Sequence, residues 1–288
     1  MIIYMAGGVS GNLNPAWGKI AKEAYAEPVL PRLAKHMIGD DMKLYLAGVA
    51  PWRNDGLYDD SIMAHKPYIL ESFYYIDADT ERLLPYFGDF MLDSGAFTFM
   101  TGKAEVNWNE YIEKYADFIN RNKIRHYFEL DIDNVVGYPR VKEIRRNLER
   151  LTGTPCIPVW HKERGVDEFR GLSRDYSYIA IGGLVRTDYD RIDERFFTPL
   201  LDTAHANGCR VHGLGYTSLS GLKKYHFDSV DSTAWTTGNR FGFIYRFNGK
   251  TMVKTDVPKG YRLGDPRKVA LINFIEWLKF QIYADTHL

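Results

Sequence analysis

Cysteine is scarce: Cys156 and Cys209 are the only two in 288 residues. Two thiols cannot build a disulfide framework, and no Cys/His cluster has the spacing of a zinc site. A reducing, cytoplasmic setting is the expectation. Long apolar runs are missing too. None approaches the roughly 18 residues of a membrane-spanning helix, so no membrane partner is expected. The opening MIIYMAGG has a short apolar run without a basic stretch before it, which does not read as a signal peptide. Neither sign of charge is in excess: Lys+Arg and Asp+Glu each number 37. A neutral total argues against a chain-wide nucleic-acid footprint but leaves room for a local basic patch.

What is present is apolar and patterned. Hydrophobic residues make up 45% of the chain and aromatics 15%, enough for a large core. Short apolar runs alternate with amphipathic stretches. The runs are Ile2–Ala6, Leu44–Val49, Tyr68–Ile76, Phe90–Ser94, Tyr127–Asp133, Cys156–His161, Tyr178–Leu184, Val211–Gly215 and Phe227–Thr233. Between them, Pro15–His36, Trp108–Asn122, Pro139–Leu151 and Ile192–Asn207 carry helical periodicity. Such alternation predicts parallel strands with crossover helices. Nine candidate strands compete for the eight places of a (β/α)8 TIM barrel, and one of the first two, which resemble each other, is an extra. No linker-like shift appears, so residues 1–288 read as a single α/β domain.

The strand ends carry polar residues. Asp93 follows FML, Asp131 and Asp133 close YFELDID, and His161 closes IPVW. Gly182 and Gly183 follow IAI, Gly213 and Gly215 sit in VHGLG, and FDSVDSTAW holds Asp228 and Asp231. A (β/α)8 barrel builds its active site from such C-terminal strand ends. The blander readings are a helix cap or turn at Asp93 and a fraying Asp/Ser turn at Asp228–Asp231. After Trp235 the pattern breaks. Residues 236–270 hold eight Lys/Arg against two Asp. Within them, 236–264 reads as a basic hairpin insertion turning at Asn248-Gly249, followed by an amphipathic helix over Pro266–Ala284.

Taken in order, LDSGAF, DNVVGYP, IGGL, GLG and FDSVD resemble the tRNA-guanine transglycosylase superfamily, the queuine tRNA-ribosyltransferase-like enzymes. The likeness spans about residues 68–242. It is greatest to the short, phage-type members associated with putting 7-deazaguanine bases into DNA, because VDSTAW is followed by Gly238, Arg240, Phe241 and Gly242. A phage-encoded chain would work in the host cytoplasm. The resemblance implies base exchange at a nucleotide C1′ with no cofactor and no catalytic metal. Asp231 would be the nucleophile and Asp93 the general acid/base. Asp133, with Asp131 beside it, would read the guanine edge, the Gly183 N–H would meet O6, and Phe97 would stack on the base. Gly182, Gly213, Gly215, His161 and Asp228 complete the expected substrate region, with Asp228 supporting the strand end. His161 also reads as a structural strand-end histidine, and Phe97 as a core aromatic.

Three departures matter. Trp160-His161-Lys162 stands where the tRNA enzymes carry a Gln-Gly pair, and Thr98 replaces a glutamine. The Cys/His zinc cluster that follows the nucleophile in the tRNA enzymes is missing, so no zinc subdomain is expected. The resemblance therefore favours a DNA-guanine transglycosylase, with Arg240, Arg246, Lys254, Lys259 and Arg262 on phosphates; a solvated hairpin is the plain alternative. The competing functions are the same exchange on tRNA, a non-catalytic partner subunit, and an unrelated barrel glycosidase or lyase. The oligomeric state stays open between monomer and homodimer.

Overall fold

The computed structural model describes residues 42–49, 60–95, 106–184, 194–216, 218–241, 243–256 and 266–288. Eight parallel strands form one sheet: β1 Lys43–Ala47, β2 Tyr68–Ser72, β3 Asp89–Asp93, β4 His126–Tyr127, β5 Val159–Trp160, β6 Tyr178–Ile181, β7 Arg210–Gly213 and β8 Ser229–Ser232. Their order is β4-β3-β2-β1-β8-β7-β6-β5. The two outer strands meet through a parallel bridge between Phe128 and Ile157. There Ile157 N donates to Tyr127 O at 2.8 Å and Glu129 N to Ile157 O at 3.0 Å. The sheet thus closes on itself as a TIM barrel. The run MKLYLAG supplies the first strand of this barrel; Ile2–Ala6 and Pro15–His36 lie outside the described residues.

Strand alternation sorts the core into two layers. Tyr45, Ala47, Leu70, Met91, Phe128, Val159, Tyr178 and Ala180 fill the barrel interior. Their neighbours Leu44, Leu46, Ile69, Ile179, Val211 and Val230 face the helices. Those helices are α1 Asp60–Met63, α2 Ala78–Leu83, α3 Trp108–Asn122, α4 Asp133–Val136, α5 Tyr138–Thr152, α6 Val166–Asp175, α7 Phe197–Ala206 and α8 Leu219–Leu222. Helix α3 occupies the residues its periodicity predicts. Asn107 caps its start by accepting from Glu110 N at 3.3 Å, and Lys123 ends it in the left-handed region. Its stripe Ile112, Tyr115, Phe118 and Ile119 is buried, each side chain contributing about 1.5–3 kcal/mol.

Two expectations need correction. YFELDID is not one long strand: β4 ends at Tyr127, and Asp133 opens α4. The C-terminal helix is not simply amphipathic. After β8 the chain forms α9 Thr237–Phe241, the hairpin β9 Phe243–Phe247 and β10 Met252–Asp256, and then α10 Pro266–His287. Helix α10 lies between barrel and hairpin, so Ala270, Phe274, Trp277, Leu278 and Phe280 are all buried while Leu271 and Ile275 are only partly so.

Polar side chains of α10 complete strand hydrogen bonding on both sides. Asn273 Oδ1 accepts from Tyr245 N at 2.7 Å and Glu276 Oε2 from Phe247 N at 2.6 Å, which covers one edge of β9. On the barrel side, Gln281 Nε2 donates to Leu44 O at 2.7 Å and Tyr68 O at 2.9 Å, and its Oε1 accepts from Tyr68 N at 3.0 Å. Gln281→Leu keeps the volume and strands these backbone groups. We expect it to cost about 1–3 kcal/mol, read as a lower urea midpoint with unchanged slope.

Candidate active site

Asp93, Asp131 and Asp231 come together at the C-terminal mouth of the barrel. Each is held differently. Asp93 ends β3, and its Oδ2 accepts from Gly95 N at 3.0 Å in a tight turn. The turn is braced by Tyr111, whose hydroxyl donates to Ser94 O at 2.6 Å. Burial lifts the Asp93 carboxyl to about 7, and the charges of Asp131, Asp231 and Glu71 push the same way. A carboxylic acid poised there can give or take a proton near neutrality.

Asp231 lies in β8 with its side chain toward the barrel axis. Its Oδ1 accepts from Gly215 N at 2.6 Å and lies 3.3 Å from His212 Nε2. Gly215 has φ +67°, a conformation that keeps a side chain out and aims its N–H at the carboxylate. Trp235 anchors the loop beyond by donating from Nε1 to Ala47 O at 2.9 Å. Asp131 faces His161, whose Nε2 lies 3.0 Å from Oδ2. His161 rests on Gly182: a Cβ at Gly182 would stand 2.5 Å from its Cε1, so only glycine lets the ring lie there. Gly183 borders the same ring.

Asp133 does not share the direction of Asp131, because α4 begins at Asp133 and turns its side chain away. It forms a two-pronged pair with Arg164, Nε to Oδ1 at 2.9 Å and Nη2 to Oδ2 at 2.6 Å. Arg164 also donates from Nη1 to Glu129 Oε1 at 2.6 Å and lies over the Tyr138 ring, 4.2 Å from its centroid. Glu129 is fully buried, faces the helix side of β4, and has Arg145 as second counter-ion at 3.4 Å. These two arginines hold the outer carboxylates in ionic pairs.

Two expected site residues stand apart. Asp228 is at the opposite end of β8, where its Oδ2 accepts from Val211 N at 2.7 Å and lies 2.9 Å from His205 Nε2. An offset of three positions from Asp231 puts it on the other face. Gly213 faces outward: a Cβ there would be 3.1 Å from the Phe227 ring, so packing alone accounts for it. Phe97, Lys259 and Arg262 lie outside the described residues, and Arg240 is described only as part of α9.

The hairpin runs along α10 with its turn directed toward the N-terminal ends of the strands, from Tyr245 beside Asn273 to Phe247 beside Tyr283. It therefore carries Arg246 and Lys254 away from the mouth. Lys254 lies over the Phe243 ring, 4.7 Å from its centroid. Immediate succession in sequence after β8 does not bring these two cations to the carboxylates. Sequence reasoning missed Glu129, Arg164, Glu71 and His212. Glu71 and His212 were legible as polar residues within barrel strands; Arg164 sits in an unremarkable polar loop.

No family model matches this chain, and no curated protein does. Solved structures match at low identity. One, assigned as a fructose-1,6-biphosphate aldolase from Coccidioides immitis, is 12% identical with a TM-score of 0.49, over 86% of this chain and 91% of that one. The tryptophan synthase alpha-subunit of Pyrococcus furiosus is 13% identical with a TM-score of 0.42, over 69% and 90%. The carboxyl transferase domain of Rhizobium etli pyruvate carboxylase is 11% identical with a TM-score of 0.45, over 100% of this chain and 55% of that one. The barrel assignment rests on strand order, register and closure, not on these likenesses. Among the described residues no helix is long and apolar enough to cross a membrane, and no three His, Cys, Asp or Glu side chains converge on a metal position.

The raised Asp93 carboxyl gives a signed prediction. The folded protein keeps this proton up to about pH 7, while its ordinary value is 3.8. Stability from this group is complete below about pH 4 and is lost as pH rises through about 7. Asp93→Asn should therefore melt a few degrees above wild type at pH 8, with the gap closing toward pH 4 in calorimetry. Arg164→Met, which strands Glu129 and Asp133, should cost about 3–5 kcal/mol in denaturant unfolding.

Proposed function

We propose that this protein is a DNA-guanine transglycosylase that exchanges guanine for a 7-deazaguanine such as 7-cyano-7-deazaguanine. One observation carries the reading: a carboxyl lifted to about 7, Asp93, and a carboxylate that among the described residues is held through Oδ1, Asp231, share the mouth of a barrel. That is the pair a double displacement at a glycosidic carbon requires.

In the first step Asp231 Oδ2 forms a bond to C1′ and the C1′–N9 bond breaks. Its electron pair leaves with guanine, and the Asp93 carboxyl gives the base its proton. In the second step the Asp93 carboxylate takes the N9 proton of the incoming base. That nitrogen attacks C1′ and the Asp231 ester releases its carboxylate. Two displacements retain the configuration at C1′. The developing oxocarbenium charge faces Asp231.

For the guanine edge, Asp131 is the better-placed reader, because Arg164 occupies both oxygens of Asp133. Asp131 would accept from N1–H and N2–H2, His161 would orient it, and the Gly183 N–H would meet O6. A target in duplex DNA must be flipped out of the stack to reach such a mouth. The absence of the zinc-binding sequence motif supports DNA over tRNA. With Arg246 and Lys254 on the flank, phosphate contact would fall to the other expected cations, Arg240, Lys259 and Arg262.

The deciding experiment incubates the protein with radiolabelled guanine and, separately, duplex DNA, single-stranded DNA or tRNA. Label in DNA alone supports the proposal; label in tRNA alone overturns the choice of substrate, and none in any overturns the chemistry. Asp231→Ala should lose exchange and any covalent DNA adduct. Asp93→Asn should lower exchange by about 10²–10⁴-fold. Because the acid form of Asp93 starts the cycle, wild-type kcat should fall as pH rises through about 7. Asp131→Asn should raise KM for the base more than Asp133→Asn does.

A further inference from the structure

His212 has no expected role within VHGLG, yet it lies directly behind the carboxylate that matters most. It is fully buried in β7. Its ring packs in the barrel interior against Phe128 at 5.3 Å and Tyr45 at 6.1 Å between centroids. An imidazole in such surroundings needs partners for both nitrogens. It has them. Nε2 lies 3.3 Å from Asp231 Oδ1, and Nδ1 lies 2.5 Å from Ser229 Oγ. Ser229 Oγ in turn lies 2.5 Å from the Tyr178 hydroxyl.

The direction of each proton follows from chemistry. An ionised Asp231 can only accept, so Nε2 carries the imidazole proton; a neutral ring then accepts at Nδ1 from Ser229, and the serine oxygen is left to accept from the Tyr178 hydroxyl.

We propose that Tyr178, Ser229 and His212 form a proton-ordered relay that makes His212 the positioning residue of Asp231. The Nε2–H and the Gly215 N–H both hold Oδ1, which leaves Oδ2 as the oxygen turned to the reacting carbon. This rests on Asp231 being the nucleophile of the proposed exchange. During ester cleavage charge returns to the carboxylate, and the same two donors stabilise it as it leaves. His212 touches no substrate, so its removal should act on kcat and not on binding.

Two measurements test this. The first is activity. His212→Phe should lower kcat for base exchange by about 10- to 100-fold, the worth of one hydrogen bond to a charged group, with KM for the base within about twofold. His212→Gln, which restores an amide donor at similar reach, should recover most of the loss. Unchanged kcat in His212→Phe, or equal losses in Phe and Gln variants, would overturn the relay. The second is nitrogen NMR of 15N-histidine protein, which needs no turnover. Wild type should show His212 as the neutral Nε2–H tautomer, its signal shifting in Asp231→Asn and its tautomer changing in Ser229→Ala. An Nδ1–H tautomer in wild type would sink the relay even if exchange is found. The expected tautomer in a protein without exchange activity would leave the relay standing and remove the transglycosylase reading instead.

Discussion

The dependence of the whole site is on how one barrel accommodates many carboxylates in little water. Each has a separate solution. Glu129 and Asp133 are neutralised by Arg164, with Arg145 behind Glu129. Asp131 faces His161, and Asp231 has a backbone N–H and an imidazole. Burial lifts Asp93, whose Oδ2 accepts from Gly95 N, to about 7, and burial raises Glu129 as well. The mouth thus surrounds its carboxyl groups with different partners, and partners and burial are what set a carboxyl's proton affinity.

The pairing of Asp133 with Arg164 also defines the boundary of the site. Arg164 is inserted between the ends of β4 and β5, the strands that close the barrel by a single bridge. Closure and charge compensation occur at the same place. The aromatic contact with Tyr138 gives the guanidinium a flat seat there, which a lysine could not use in the same way. The mouth is consequently divided: carboxylates that face the axis remain available for chemistry, and those that face the helices are structural.

Much of the fold was legible because its signals are local. The periodic stripe of Trp108–Asn122 defines α3, and the apolar runs locate every described barrel strand. The polar strand ends pointed to Asp93, Asp131 and Asp231. What was not legible depends on direction. YFELDID suggested that Asp131 and Asp133 share a face, but the turn into α4 separates them. FDSVD suggested a joint site for Asp228 and Asp231, yet a three-residue offset in a strand reverses the face. Adjacency of the basic hairpin to β8 suggested proximity to the mouth, whereas α10 lays the hairpin on the flank. Arg164 could not be read at all, since its partners are 31 and 35 residues away and no local pattern records them.

The bonds of Gln281 to Leu44 and Tyr68 join parts of the chain 237 and 213 positions apart. A ribosome delivers the chain from the N-terminus onward, so β1 and β2 are made long before the side chain that bridges them. Until Gln281 arrives, the backbone carbonyls at this seam have only water or a chaperone for company. The last turns of α10 therefore act as a keystone set after all eight barrel strands have been made. A ribosome stalled before Gln281 would hold a chain with all eight strands made and this seam still open to proteases.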